Sequence, residues 1–189
     1  MKKILISLLV FLVSNNAATA QDNKTCSAWP SWTQLACHRL HQIWTEGKNE
    51  LYLSGYAWHN RFTYTKERLA THQYNEEAWG GGLGKGFYDE KGDWHGLYAL
   101  TFLDSHKKLE PAAGYAFLKI RQFGQNTRIG AGYSLIATVR SDVFKGIPFV
   151  GIIPWVSINY LNLSLSATYV PGRKDNGNVL FIISKWTFD

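Results

Sequence analysis

Leu161-Asn162-Leu163-Ser164-Leu165-Ser166-Ala167-Thr168-Tyr169 is the stretch whose reading decides the fold. Every odd position is apolar and every even position carries a hydroxyl or an amide. A period of two marks a β-strand whose two faces meet different surroundings. The same period recurs in Ile129, Ala131, Tyr133, Leu135, Ala137 and Val139, which alternate with Arg128, Gly130, Gly132, Ser134 and Thr138. Tyr52, Tyr56, Trp58, Phe62 and Tyr64 extend it toward the N-terminus.

Working outward from these three, the spacing predicts eight strands, near 49–65, 77–88, 93–104, 110–121, 127–140, 147–158, 161–170 and 178–188. The connections alternate in length. Asp89-Glu90-Lys91-Gly92, Phe123-Gly124-Gln125-Asn126 and Asn159-Tyr160-Leu161-Asn162 are tight turns, whereas 66–76, 104–109, 141–146 and 171–177 are longer and polar. Short turns at one end and long loops at the other are the pattern of a transmembrane barrel. Eight strands is an even number that lets side chains fill the interior, and closure leaves no unpaired edge in lipid. The expected fold class is therefore all-β: an eight-stranded antiparallel transmembrane β-barrel over 49–189, preceded by an N-terminal amphipathic α-helix.

That helix is expected over 31–46. Trp32, Leu35, Ala36, Leu40, Ile43 and Trp44 form one apolar stripe, with Ser31 to cap the start and Gly47 to end it. Two readings of the stripe compete: a helix packed on the core, and a helix lying in a membrane interface with its tryptophans at headgroup depth. Given a barrel, the second is preferred. Ahead of it, Lys2-Lys3, the apolar run 4–13 and the small-x-small site Ala18-Thr19-Ala20 read as a secretory signal over 1–20. The mature chain is then expected to start at Gln21, with 21–48 as the helix-bearing segment.

Composition agrees. No later apolar run approaches 18 residues, so no spanning helix is expected, while membrane strands need only about ten alternating residues. Aromatic residues make up 15% of the chain, which suits aromatic girdles at two lipid–water boundaries. The net charge of +6 is mild and scattered. In an exported chain it argues against a nucleic-acid partner and for an anionic lipid surface. Export also permits a disulfide between Cys26 and Cys37, although spacing alone does not decide it.

Two features interrupt the strands. Trp79-Gly80-Gly81-Gly82-Leu83-Gly84-Lys85-Gly86 is glycine-rich, but it lacks the Lys-Ser/Thr pair and the βαβ setting of a phosphate loop. Pro148 and Pro154 fall inside the sixth predicted strand, where each removes a ladder donor. A lateral opening in the wall is the functional reading, and a bulge without a role is the plain one.

Of the six histidines, His38, His41, His72 and His106 show no metal or catalytic constellation. If the helix lies on the periplasmic side, the first strand runs outward, and His59 meets the loop Asp104-Ser105 at the outer rim. An imidazole, a carboxylate and a hydroxyl are the parts that move a proton in acyl transfer. On pattern alone, Asp-Ser is an ordinary loop dipeptide.

The motifs Trp58-His59-x-Arg61-Phe62, Tyr74-Asn75-Glu76, Trp79-Gly80-Gly81-Gly82-x-Gly84, Asp89-Glu90-Lys91-Gly92-x-Trp94-His95-Gly96-Leu97-Tyr98-Ala99, Asp104-Ser105, Glu110-Pro111-x-Ala113-Gly114-Tyr115, Tyr169-x-Pro171-Gly172 and Asn176-Gly177-Asn178-Val179 resemble the PagP family of lipid A palmitoyltransferases across nearly the whole mature chain. The resemblance implies an outer-membrane enzyme of a Gram-negative cell. It implies transfer of a palmitoyl chain from the sn-1 position of a phospholipid to a hydroxyacyl chain of lipid A, a change that raises resistance to cationic antimicrobial peptides. Carried over by motif, the catalytic residues are His59 as general base, Asp104 as its orienting carboxylate, and Ser105 as nucleophile or oxyanion donor. Arg140 is expected to bind a lipid A phosphate. Asp89 and His95 match family residues at the helix end without a clear role. The resemblance implies no cofactor or metal, and a monomer is expected.

Three departures stand out. The family measures its acyl chain in an apolar well whose floor includes a glycine. Here that position is Ala116, in line with Ala112 and Gly114, so a relaxed or slightly shorter chain preference is expected. Prolines that flank a gap between the first two strands are replaced by Ser54 and Ala78, while Pro154 and Pro171 at the second gap are kept. The terminal aromatic is displaced by one, in Trp186-Thr187-Phe188-Asp189. A catalytically silent adhesive or structural barrel would need neither the three polar residues nor the small-residue well. A soluble lipid-binding barrel would need a polar outer face.

Overall fold

The computed structural model describes residues 26–71, 74–140, 146–174 and 177–189. The signal over 1–20, the expected start at Gln21, and His72 lie outside them. Helix α1 (Ser31–Glu46) leads into β1 (Lys48–His59), and a short α2 (Lys66–Thr71) sits in the first long loop. Then follow β2 (Gly80–Tyr88), β3 (Trp94–Leu103), β4 (Leu109–Gln122), β5 (Thr127–Thr138), β6 (Phe149–Tyr160), β7 (Leu163–Val170) and β8 (Val179–Thr187). All neighbours pair antiparallel, and β8 returns to β1 to close the barrel.

The strand quoted first behaves as its alternation demands. Leu163 and Leu165 are exposed on the outside, while Ser164, Ser166 and Thr168 are buried inside; the strand starts two residues later than expected, because Leu161 takes φ 51° in the turn. On β6, Val150, Ile152, Val156 and Ile158 face outward in the same way. An apolar outer wall with a polar inner face is the pattern of a barrel that meets lipid. Among the described residues, no helix is long and apolar enough to cross a membrane.

Helix α1 packs its buried Ile43 toward the barrel and turns Trp32, Leu35 and Trp44 outward, with Trp32 84% exposed. The exposed stripe favours the interfacial reading. Ser31 is not the cap. Pro30 holds that place with non-helical φ and ψ, and its carbonyl accepts the Thr33 amide. Cys26 and Cys37 are joined by a disulfide, with their Cα atoms 5.8 Å apart.

Several strand boundaries differ from expectation, with β2 starting at Gly80 and not 77 and β5 ending at Thr138 and not 140. β1 ends at His59, not 65, because the Asn60 carboxamide accepts the Phe62 amide and the Asn60 carbonyl accepts that of Thr63, folding the chain into a turn. Phe62 is left 93% exposed in the loop. Pro148 precedes β6, so only Pro154 lies within it, and β6 runs on to Tyr160. The glycine-rich run is strand β2, where a side chain on Gly82 would strike the Ala99 carbonyl and the Leu100 side chain of β3.

The lower interior, toward the helix, is filled by Tyr52, Trp94, Tyr98, Ala116, Leu118 and Trp155. The upper interior is not filled, and that is where the cavity lies.

Candidate active site

A cavity of about 520 Å³ opens at the end of the barrel away from α1. Its depths are apolar, walled by Leu100, Phe102, Ile136, Ile153, Phe181 and Ile183. Its mouth carries His59, Ser105, Arg68, Arg140 and Arg173. A blind apolar shaft under a polar, cationic rim fits a molecule with a long tail and an anionic head.

The shaft stops where rings cross it. Tyr98 projects from β3 over Gly114, whose missing Cβ would fall 2.8 Å from the phenol oxygen, and its hydroxyl meets Ser134 Oγ at 2.7 Å. Trp155 packs against Tyr98 with ring centroids 5.5 Å apart. Of the three small residues expected along the well, Ala112 lines the cavity. Gly114 lies under the Tyr98 ring, and Ala116, wholly buried, sits one pleat deeper among Tyr52, Trp94 and Leu118.

The backbone explains why the rim residues meet. His59 is the last residue of β1. The loop after β3 is drawn toward it by Asn75, whose amide donates to the Ser105 carbonyl at 3.0 Å and whose carboxamide donates to the Asp104 carbonyl at 3.3 Å. His59 is buried, stacked on Tyr74 at 4.7 Å and edge-on to Tyr64 at 6.2 Å. Arg68 of α2 donates to the Tyr74 hydroxyl at 3.0 Å. Asp104 is buried too, but its carboxylate turns into its own loop. Oδ1 accepts the amides of His106 and Lys108, both at 2.8 Å, and Oδ2 lies 3.9 Å from His106 Nδ1. Asp104 therefore shapes the loop that presents Ser105. Arg140 Nε stands 3.8 Å from Glu110 Oε2, and Glu110 Oε1 accepts the Thr138 hydroxyl at 2.8 Å.

Tyr64, Arg68, Tyr74 and Glu110 were not singled out for the site from sequence. Tyr74 and Glu110 sit in quoted motifs, but Tyr64 read as strand and Arg68 as loop.

The wall is broken at two places beside the cavity. Between β6 and β7, pairing stops at Trp155 with Thr168. The carbonyl of Pro154 faces β7, where it accepts the Thr168 hydroxyl at 2.7 Å. A strand residue aims its nitrogen to the same side as its carbonyl, so the missing donor is the one that would have continued that ladder. Between β1 and β2, pairing stops at Ser54 with Gly80 even without prolines. There the chain is laced instead: Ser54 Oγ donates to the Ala78 carbonyl at 2.6 Å, and the Ala57 and Ala78 amides donate to the Glu76 carbonyl at 2.9 and 3.1 Å.

At the helix end, Asp89 anchors a polar knot. Oδ1 accepts the amides of Lys91 and Asp93, both at 2.9 Å, and Oδ2 meets His95 Nε2 at 3.3 Å. His95 Nδ1 reaches the Tyr115 hydroxyl at 2.7 Å. Arg39 of α1 ties the helix to this turn through Glu90, at 2.9 and 3.3 Å. Burial works against charge at Asp89, yet the amides and the imidazole hold its carboxyl below the ordinary range.

Comparison with known proteins agrees with this architecture. Residues 39–185 match the family described as antimicrobial peptide resistance and lipid A acylation protein PagP. A protein of Legionella longbeachae is 55% identical over 169 residues, 89% of this chain and 73% of that protein. One of Bordetella pertussis is 53% identical over 180 residues, covering 95% and 96%. One of Legionella pneumophila is 48% identical over 186 residues, covering 98% of each. All three carry the name lipid A acyltransferase PagP. With its eight-stranded barrel, its leading helix and these relatives, the chain belongs to the PagP family.

Proposed function

We propose that this chain transfers a palmitoyl or similar-length acyl chain from the sn-1 position of a phospholipid to a hydroxyacyl chain of lipid A. Lipid A acylation is the activity of its family. The observation that carries the finer reading is the blind apolar shaft with His59 and Ser105 at its mouth. A single hydrocarbon tail fills the shaft, and the ester it belongs to stops at the rim.

His59 acts as the general base. The acceptor hydroxyl oxygen bonds to the ester carbonyl carbon as its proton passes to the imidazole. The tetrahedral intermediate then releases the lysophospholipid oxygen, which takes that proton back. The Ser105 hydroxyl faces the same mouth and serves as oxyanion donor, while Asp104 holds its loop in shape. Arg140 and its cationic neighbours Arg68 and Arg173 receive phosphate groups at the rim. The donor enters from the bilayer through the β6–β7 break. The apolar outer wall supports a position in the outer membrane, where the barrel acts as a monomer with α1 at the periplasmic face. The added chain tightens the outer leaflet, which supports resistance to cationic antimicrobial peptides.

Mass spectrometry of lipid A from cells producing the intact chain should show one added acyl chain, and cells producing His59→Ala should show none. Equal acylation by the two would remove the site assigned here.

A further inference from the structure

The carboxylate beside His59 is not Asp104. Among the described residues, Glu76 supplies the one recorded within 4 Å of the ring, with Oε1 at 3.8 Å from Nδ1. That nitrogen is buried and has no hydrogen-bond partner. Glu76 Oε1 also accepts the His59 main-chain amide at 3.3 Å and an Arg61 guanidinium proton at 2.6 Å, while Oε2 accepts the Tyr56 hydroxyl at 3.4 Å.

Its position is set by backbone. The Glu76 carbonyl receives the Ala57 amide just where β1 has lost β2 as its partner. This lacing aims the side chain at the end of β1. The stacked Tyr74 limits rotation of the imidazole, Nδ1 lies on the Glu76 side, and the residue lines the cavity.

Building on the transfer reaction above, we propose that Glu76 is the positioning residue for His59. It keeps the proton on Nδ1, which leaves the Nε2 lone pair for the acceptor hydroxyl. It then stabilises the imidazolium formed when Nε2 takes that proton, until the proton goes to the departing lysophospholipid oxygen. A separation of 3.8 Å is long for a hydrogen bond, but catalytic contacts of this kind tighten once substrate is bound. Loop tethering, the plainer role, is shared by the Glu76 carbonyl and by neutral acceptor contacts that a carboxamide oxygen can keep, so Glu76→Gln separates it from the role of the charge.

Other charged or titratable groups surround this space: Arg61 through its bond to Glu76, Arg68 of α2 through the stacked Tyr74, Glu110 of β4, Arg140 from beyond β5, Arg173 from the β7–β8 loop, His106 from the β3–β4 loop, and the phenols of Tyr64 and Tyr74. Glu76 favours the charged imidazole and Arg61 opposes it. The two therefore move the pH dependence in opposite directions.

The test uses the mature barrel in mixed micelles, with dipalmitoyl phosphatidylcholine as donor and lipid A as acceptor. In Glu76→Gln, which keeps an acceptor for the His59 amide and Arg61, kcat should fall about tenfold to a hundredfold, with KM within about twofold, the lower part of a general base's usual contribution. The acid limb of the kcat profile should move to lower pH. In Arg61→Ala it should move to higher pH. His59→Ala provides the background. If Glu76→Gln keeps wild-type kcat, or loses kcat with an unmoved acid limb, while His59→Ala is dead, the role of Glu76 is overturned and the transferase site stands. If His59→Ala is as active as the wild type, the site itself is wrong. Should Glu76→Ala fail to form a heat-modifiable barrel, Glu76→Gln alone decides.

Discussion

At the helix end of the barrel, the buried Glu50 carboxylate is fully engaged. It accepts the Tyr52 hydroxyl at 2.7 Å and the Thr187 hydroxyl at 3.3 Å, and it pairs with the Lys185 ammonium, which lies 4.0 Å over the Trp94 ring. At the far end, the buried His59 keeps a ring nitrogen without a hydrogen bond, and Glu110 and Arg140 stand 3.8 Å apart across an open cavity. One end is closed by ionisable groups that satisfy each other, although the buried indole nitrogens of Trp94 and Trp155 there make no hydrogen bond. The other holds polar groups at distances that a substrate would shorten. Stability is concentrated where the shaft ends, and chemistry where it opens.

If that division is real, the largest effect of any single change falls on the closed end and on stability. Lys185→Met leaves Glu50 as a lone buried charge, which costs about 3–5 kcal/mol, whereas pairing it with Glu50→Leu should recover most of the loss. Urea unfolding of the barrel in lipid vesicles measures both. Activity per folded molecule should stay at the wild-type level. A Lys185→Met barrel that is stable but inactive would break the contrast.

The next effect belongs to the open end, where the signs reverse. Asp104→Ala strips the acceptor from the amides of His106 and Lys108 and loosens the loop that presents Ser105. Transfer should drop on the order of a hundredfold, while unfolding shifts by only about 1–2 kcal/mol. Both quantities come from the same purified barrel, so a large stability loss with unchanged turnover per folded molecule would place Asp104 with the closed end.

How much of this was readable beforehand depended on whether the signal was local. Leu161 to Tyr169 carries its own period, so strand, faces and apolar wall follow from it, although its first two residues continue the alternation while forming the turn. Pro154 announced a break because a missing donor is visible in sequence. β1 was read six residues too long because Phe62 and Tyr64 continue its alternation, and the Asn60 turn that stops it depends on side-chain hydrogen bonds. The roles of His59, Asp104 and Ser105 rested on resemblance, since only closure of the sheet brings those loops together. Glu76 lay in a quoted motif, yet its approach to His59 crosses a gap in strand pairing that no periodicity encodes.

A smaller effect probes the boundary between the two regions. Ala116 lies just below the rings that end the shaft, so its methyl group is felt through Tyr98, Trp94 and Tyr52 and not by direct lining. Ala116→Gly lets those rings settle deeper and should lengthen the preferred acyl chain by about one methylene, a discrimination of ~1–3 kcal/mol. Product mass spectrometry with mixed-chain phospholipids reads it. Strict sixteen-carbon selection by the unaltered chain would show that the floor is set elsewhere.

The smallest effect concerns how α1 is held to the closed end. Arg39 grips the exposed Glu90 and lies 3.7 Å from Asp89. Surface pairs of this type contribute little, so Arg39→Ala should speed amide exchange over residues 31–46 by only roughly two- to fivefold and leave the strands untouched. Acid should do the same to the unaltered chain. The Arg39 hydrogen bond holds the Glu90 carboxyl low, and backbone amides with His95 outweigh burial to hold Asp89 low. A carboxyl depressed in the folded state contributes fully above its ordinary pKa and loses that contribution as pH falls through the depressed value. Undocking of α1, followed by the fluorescence of Trp32 and Trp44, should therefore begin only below about pH 4, with the barrel intact. Undocking already at neutral pH in Arg39→Ala would mean that this one guanidinium, and not the buried Ile43, carries the attachment.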